Sequence, residues 1–242
     1  MKGVVRLFRT GRIFILDIFI DIFLRKNLDN RLNLTYYSCA ASNAEPLPRD
    51  AGSRKMEVKG TLIATIPHFV KSNFGEQGLE KWLDTLSTDA RLVFEFKVKE
   101  SQWYDLKTFM LEPVSFVAQL FYNWNLEKAG WEMGRFALDH GFKGIYRMFL
   151  KVGKPEFFVG KGPVFASGFY RPCKMEVPFN ERGKATVRIV EFPDIDKTIE
   201  YRIGGWMQRG LEMNGCKDVK VEVLRSLMKG DPYTEYQLTY KP

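Results

Sequence analysis

Four consecutive segments decide the fold: KATVRIVE (184–191), DKTIEYRIGGWMQRGLEM (196–213), KDVKVEVLR (217–225) and TEYQLTYK (234–241). In the first, Ala185, Val187 and Ile189 alternate with Thr186 and Arg188, the period of a half-buried strand. In the second, Ile199, Ile203, Trp206, Met207 and Gly210 fall on one side of a helix. Val219, Val221 and Val223 then alternate with Lys220 and Glu222, and Tyr236, Leu238 and Tyr240 with Gln237 and Thr239. The MKGDP tip (228–232) between these last two has the composition of a turn. The period changes from 2 to 3.6 and back, which predicts a β-α-β-β unit closing the chain.

Upstream, Met175 and Val177 lead into this unit, and Pro155 restarts a helix carrying Phe157, Phe158, Val164 and Phe165. Residues 126–152 read as one long helix bent at Gly141 or Gly144, with Phe142, Ile145, Tyr146 and Phe149 as an i, i+3, i+4, i+7 stripe. A helix is expected over 106–122, capped by Asp105 and kinked near Pro113. Leu92, Phe94, Phe96 and Val98 alternate as in a strand. A helix opens at Pro67 and runs to about Leu86, and Val58, Leu62, Ala64 and Ile66 read as a short strand before it. The predicted class is α+β: an N-terminal helical subdomain packed on a four-stranded antiparallel sheet, all within one domain at 56–242. Residues 1–55 read as an extension and linker.

Charge is uneven along the chain. The formal net charge is +8, yet residues 1–55 hold ten Lys/Arg against five Asp/Glu, leaving +3 for the rest. So mild a balance gives no polyanion footprint, and no nucleic-acid partner is expected. Basic residues Lys2 to Arg12 precede an apolar run, Ile13 to Leu24, interrupted by Asp17 and Asp21. As a helix that run spans about 18 Å, short of a hydrocarbon core of about 30 Å. Peripheral membrane contact through residues 4–24 is the reading left for it. Cys39, Cys173 and Cys216 are odd in number and far apart, which suits a reducing cytoplasm and no disulfide framework.

Catalytic signatures are sparse. His68 and His140 are the only histidines, and HExxH, GxSxG and cysteine clusters are absent from the sequence. Gly160-Lys161 fails as a phosphate loop, because Gly153 is too distant and Gly162 stands where Ser or Thr would bind magnesium. Asp194 and Asp196 precede a helix and read as caps. His140 sits among Phe136, Phe142, Tyr146 and Phe149, the company an axial haem ligand would keep. Arg135 is expected to pair with Glu132 one helical turn away.

Phe69-Val70-Lys71 with Phe74-Gly75-Glu76-Gln77-Gly78-Leu79, Ser101 with Trp103-Tyr104, Gly134-Arg135 and Gly230-Asp231 together resemble an uncharacterised myxobacterial paralogous family. More distantly they resemble the superfamily joining haem–nitric-oxide-binding domains to 4-vinyl reductase domains. The resemblance covers residues 56–240. It implies a helical subdomain over a β-α-β-β sheet, a ligand pocket between them, and roles as sensors of haem or hydrophobic molecules or as accessories in tetrapyrrole metabolism. The Tyr-x-Ser-x-Arg motif of the haem-binding branch is missing here. Tyr233 follows Gly230-Asp231 where the reductase branch often has a cysteine, so no metal site is expected.

The expectation drawn from this is a non-enzymatic, cytoplasmic, sensor-like bacterial module. It would bind a small hydrophobic molecule or a protein partner, with Trp131, Arg135, Phe142 and Tyr146 lining the pocket. The alternative is a haem-based gas sensor with His140 as axial ligand, or an accessory protein of tetrapyrrole metabolism.

Overall fold

Glu57–Lys59 (β1) runs directly into Gly60–Ile63 (α1) and, past Ala64, into Thr65–Thr85 (α2). These belong to a computed structural model that describes residues 55–141 and 153–242. The chain divides into Met1–Arg54 and Lys55–Pro242, and every described residue lies in the second unit. The segment 4–24 and the side chains of Phe142 and Tyr146 therefore lie outside the described residues.

The strand expected through Ile66 ends at Lys59. Leu62, Ile63, Ile66, Phe69 and Val70 are all buried, an i, i+1, i+4, i+7, i+8 set that only a helix can turn to one side. The alternating reading overlooked Ile63. Inside α2, Gly75 adopts φ 73 and ψ −175, and the helix kinks there.

Thr88–Phe96 (α3) is also helical, against the expected strand. Ser87 caps it by accepting from the Ala90 amide, and only Ala90 and Phe94 turn inward. Phe94 meets Trp82 edge-on at 5.1 Å, while Leu92 and Phe96 remain exposed. The apparent period of 2 thus came from residues that share no face.

Trp103–Asp105 (β2) pairs antiparallel with β1, and Asp105 caps the next helical turn, as expected, by accepting from the Thr108 amide at 2.9 Å. Lys107–Leu111 forms a π-helical turn, followed by Glu112–Phe121 (α4). Pro113 explains that turn, since its ring would clash with an ordinary helical carbonyl four residues back and a wider turn makes room. The Pro113 carbonyl accepts from Trp82 Nε1 at 2.9 Å, tying α4 to α2.

Leu126–Gly141 (α5), Pro155–Gly160 (α6) and Gly162–Phe169 (α7) come next, so the single helix expected after Pro155 is two. Tyr170–Arg171 (β3) completes a small sheet of order β2-β1-β3 that sequence periodicity did not reveal.

Lys174–Glu181 (β4), Lys184–Glu191 (β5), Lys197–Met213 (α8), Lys217–Arg225 (β6) and Thr234–Lys241 (β7) then build the expected terminal unit. The sheet has order β4-β5-β7-β6 and is antiparallel throughout. Ala185 faces Leu238 and Val187 faces Tyr236 across β5 and β7, and all four are buried. Asp196 caps α8 by accepting from the Ile199 amide at 2.8 Å, as its position before the helix predicted.

Helix α8 packs on the sheet with one side and on α5 with the other. The second contact is unusually close. A Cβ on Gly134 would lie 2.0 Å from the Arg202 carbonyl oxygen, and one on Gly205 would lie 2.2 Å from that of Trp131. Gly134→Ala is therefore expected to destabilise the protein by about 1–3 kcal/mol through overpacking. Gly141, on the same helix, has open space around it, so Gly141→Ala should not lower stability. Urea midpoints of the two variants against the parent check the contrast.

Candidate functional site

A cavity of about 60 Å³ lies where α8 faces α6, α7 and the sheet. Ile203, Trp206 and Met207 come from α8, Gly134 and Ala137 from α5, Phe158 from α6, and Phe165, Ala166 and Phe169 from α7; Met175, Val187 and Leu238 rise from the sheet. The helical period of α8 brings Ile203, Trp206 and Met207 to one side, as the stripe in its sequence implied, and adds Arg202 beside them.

Aromatic rings from α6, α7 and α8 meet on the wall of this space. Phe158 stacks on Trp206 at 5.4 Å, and Phe165 meets Trp206 edge-on at 5.5 Å. Phe158 can enter because residue 210 is glycine, where a Cβ would fall 2.0 Å from the ring. The remaining volume is well under the roughly 150 Å³ of an apolar cavity that holds benzene.

One charged side chain shares this wall. Arg202 is 3% exposed. Its Nη2 donates to the Leu62 carbonyl at 3.2 Å and to Thr65 Oγ1 at 3.0 Å, and its Nη1 has no hydrogen-bond partner. Burial pulls the guanidinium pKa down, opposed by the neighbouring Tyr170 hydroxyl. Burial likewise pushes Tyr170, another wall residue, up to about 12. Two residues before Arg202, the buried Glu200 carboxylate accepts from the hydroxyls of Ser226 and Thr234. Helix α8 thus buries one charge of each sign, and only the negative one is enclosed by donors.

The residues singled out from sequence lie elsewhere. Trp131 and Arg135 sit on the α5–α8 seam and are not among the cavity's lining. Trp131 Nε1 donates to Gln208 at 2.9 Å, and Arg135 donates to Gln208 at 2.7 Å and to both Glu212 oxygens at 2.7 and 2.8 Å. The expected Arg135–Glu132 pair does not form; Glu132 accepts from the Tyr122 hydroxyl at 2.6 Å instead. The two carboxylates compete, and Glu212 wins because the close helix approach presents it edge-on to the planar guanidinium. Arg209 extends the network to Asp139 and Glu212.

His140 stacks on His68 at 4.3 Å and on Phe136 at 5.4 Å, and neither imidazole belongs to the cavity's lining. Among the described residues no group of three or more His, Cys, Asp or Glu side chains is placed to hold a metal ion. Cys173 and Cys216 are unpaired thiols that burial pushes up to about 12 and about 11, far from a reactive thiolate. Among the described residues no helix is long and apolar enough to cross a membrane.

Arg202 and Tyr170 escaped notice in the sequence. Arg202 did leave a signal: it falls within the apolar stripe of α8, one turn from both Ile199 and Trp206, where a surface arginine does not belong.

No family profile matches this chain, and neither does any curated protein. Solved structures do. The H-NOX protein from K. algicida in its Fe(II) unliganded form gives a TM-score of 0.58 at 11% identity, over 76% of this chain and 97% of that one. The H-NOX protein from S. oneidensis in the Fe(II)NO ligation state gives 0.59 at 11% identity, over 76% and 99%. The chain therefore has an H-NOX-like α+β fold, as the resemblance implied.

The seam makes a pH-dependent contribution. Burial pushes the Glu212 carboxyl up, but hydrogen bonds from Arg135 and Arg209 outweigh this and hold it below its ordinary value. A carboxylate lowered in the folded state adds stability above its unfolded pKa, near about 4.3 for Glu, and loses it as pH falls through the folded value. Glu212→Gln should cost about 1–2 kcal/mol at pH 7, the seam being partly solvated. It should also flatten the decline of stability below about pH 4.3, which urea midpoints measured across that range would show.

Proposed function

We propose that residues 55–242 form a non-enzymatic, sensor-like module that takes a small apolar molecule into the cavity between α8 and the sheet. The observation that carries this is the cavity itself: an apolar space between two layers, with few polar groups on its wall, as ligand sites have. The fold likeness supports a ligand-binding role in general; since the H-NOX proteins are described with iron in a stated ligation state, it bears more on the second reading below. Kinship with the myxobacterial paralogous family, and through the 4-vinyl reductase branch with tetrapyrrole metabolism, belongs to the same proposal. So does a cytoplasmic location. The ring cluster at Phe158, Phe165 and Trp206 makes occupancy conditional on movement: with about 60 Å³ open, even a molecule the size of benzene must open it. Such an opening would repack α8 against α6 and α7, a change a partner protein can sense.

Xenon and toluene test the cavity. Xenon should bind the wild type in ¹²⁹Xe NMR, and toluene should change Trp206 fluorescence, an effect absent in Trp206→Phe. Ala166→Leu, which fills the space, should weaken both by at least about tenfold. If neither guest binds, the module is an interaction scaffold with a closed core.

The fold likeness favours a second reading, a haem-based gas sensor with His140 as axial ligand. The residues lining this cavity do not fit haem: its volume is about 60 Å³, well under the roughly 150 Å³ that holds a single benzene, and the haem macrocycle is far larger. Its wall also carries no imidazole. Protein reconstituted with haemin should accordingly give no Soret band that depends on His140. A band that shifts in His140→Ala would establish haem binding and demand a rearranged core.

A further inference from the structure

We propose that the ligand of this cavity is a small amphipathic carboxylate, its head held by Arg202 and Tyr170 and its tail by the apolar wall around Phe158 and Trp206. This rests on the cavity reading above and adds the ligand's chemistry.

The case begins with an imbalance of charge. A guanidinium stays protonated inside a protein, and an uncompensated buried ion is among the costliest features a core can hold. Among the described residues the Tyr170 hydroxyl is the one neighbouring group that acts on the buried Arg202 charge, and it is neutral. Glu200, close by in sequence, is satisfied by Ser226 and Thr234. The fold therefore keeps a cation at the cavity wall with no counter-charge among the described residues.

The donors left over define the anion. Nη2 is committed to Leu62 and Thr65, so the two-pronged grip that an arginine offers through both terminal nitrogens is not open. What stands free among the described residues is Nη1, and the Tyr170 hydroxyl neighbours the same guanidinium. Two donors suit the two oxygens of a carboxylate and its single charge. A phosphate monoester would bring up to two charges and three free oxygens into a wall that is otherwise hydrocarbon, where acceptors without donors are penalised. An alcohol would leave the cation uncompensated.

Calorimetric titration of the full chain with butanoate, hexanoate, 1-hexanol and butyl phosphate tests this. Hexanoate should bind about tenfold or more tightly than 1-hexanol, because its hydrogen bonds are charge-assisted. Each added methylene should gain about fourfold until the cavity is full, and butyl phosphate should bind more weakly than butanoate. Arg202→Met should bring hexanoate down to the affinity of 1-hexanol and leave 1-hexanol unchanged. That variant is expected to fold, since an apolar residue replaces a lone buried ion, and thermal denaturation would confirm it. Tyr170→Phe, the second variant, should weaken hexanoate several-fold and spare 1-hexanol. If the acid and the alcohol bind equally, or the acid keeps its advantage in Arg202→Met, the head assignment is overturned and the cavity reading survives. If no member of the series binds the wild type, both fall together.

Discussion

The close crossing of α5 and α8 is the constraint on which the rest of this structure depends. Gly130 and Gly134 on one helix and Gly205 on the other bring backbone against backbone, and Gly204 leaves room for the Trp131 ring. Packed helices normally lie 8–10 Å apart, with side chains between them. Glycine removes that spacer at the cost of helix propensity, about 1 kcal/mol per residue relative to alanine, which the fold recovers in backbone-to-backbone contact. With the helices this near, long polar side chains at the rim reach across. Arg135, Gln208, Arg209 and Glu212 form a network there that neither helix could make alone.

The same crossing sets the fate of Arg202. Its backbone lies against Gly134, so its side chain has no path along the seam to solvent and extends beneath α1 and α2 to Leu62 and Thr65. A charge that would be solvated on an ordinary amphipathic helix is thereby carried into the interior. Helix α8 acts as the partition of the domain: the polar seam to α5 lies on one side, the sheet and the aromatic cavity on the other. A guest that displaces the Phe158–Trp206 stack acts on the helix that also holds the seam, which gives a binding event inside the core a physical route to the surface.

The terminal unit was legible because its strands and its helix are each amphipathic over seven or more residues and flanked by turn-forming residues. Ala185, Val187, Ile189, Tyr236 and Leu238 needed only their period of 2 to be placed inward. Shorter elements were not legible. Val58 to Ile66 offered both periods, and the choice fell to whether Ile63 was counted. Leu92 to Phe96 alternated by chance, on a segment whose N-cap, Ser87, was the better guide. Strands β1, β2 and β3 are two or three residues long, too short to show any period, and they exist because they pair with one another.

Composition and periodicity by themselves determined that this chain is α+β and that a β-α-β-β unit closes it. They also placed Asp196 before the helix and showed that two histidines leave few ways to build a triad or a histidine-rich metal site. These are local matters, decided by neighbours one to four residues apart. Only the tertiary structure decided that Arg135 pairs with Glu212 instead of Glu132, that His140 stacks on His68, and that Arg202 is buried with no counter-charge among the described residues. Each of those depends on which surfaces meet across a gap of seventy or more residues, and the physical reason is common to all: a side chain's partner is chosen by the packing of helices, and helices choose their packing only once the whole chain has folded.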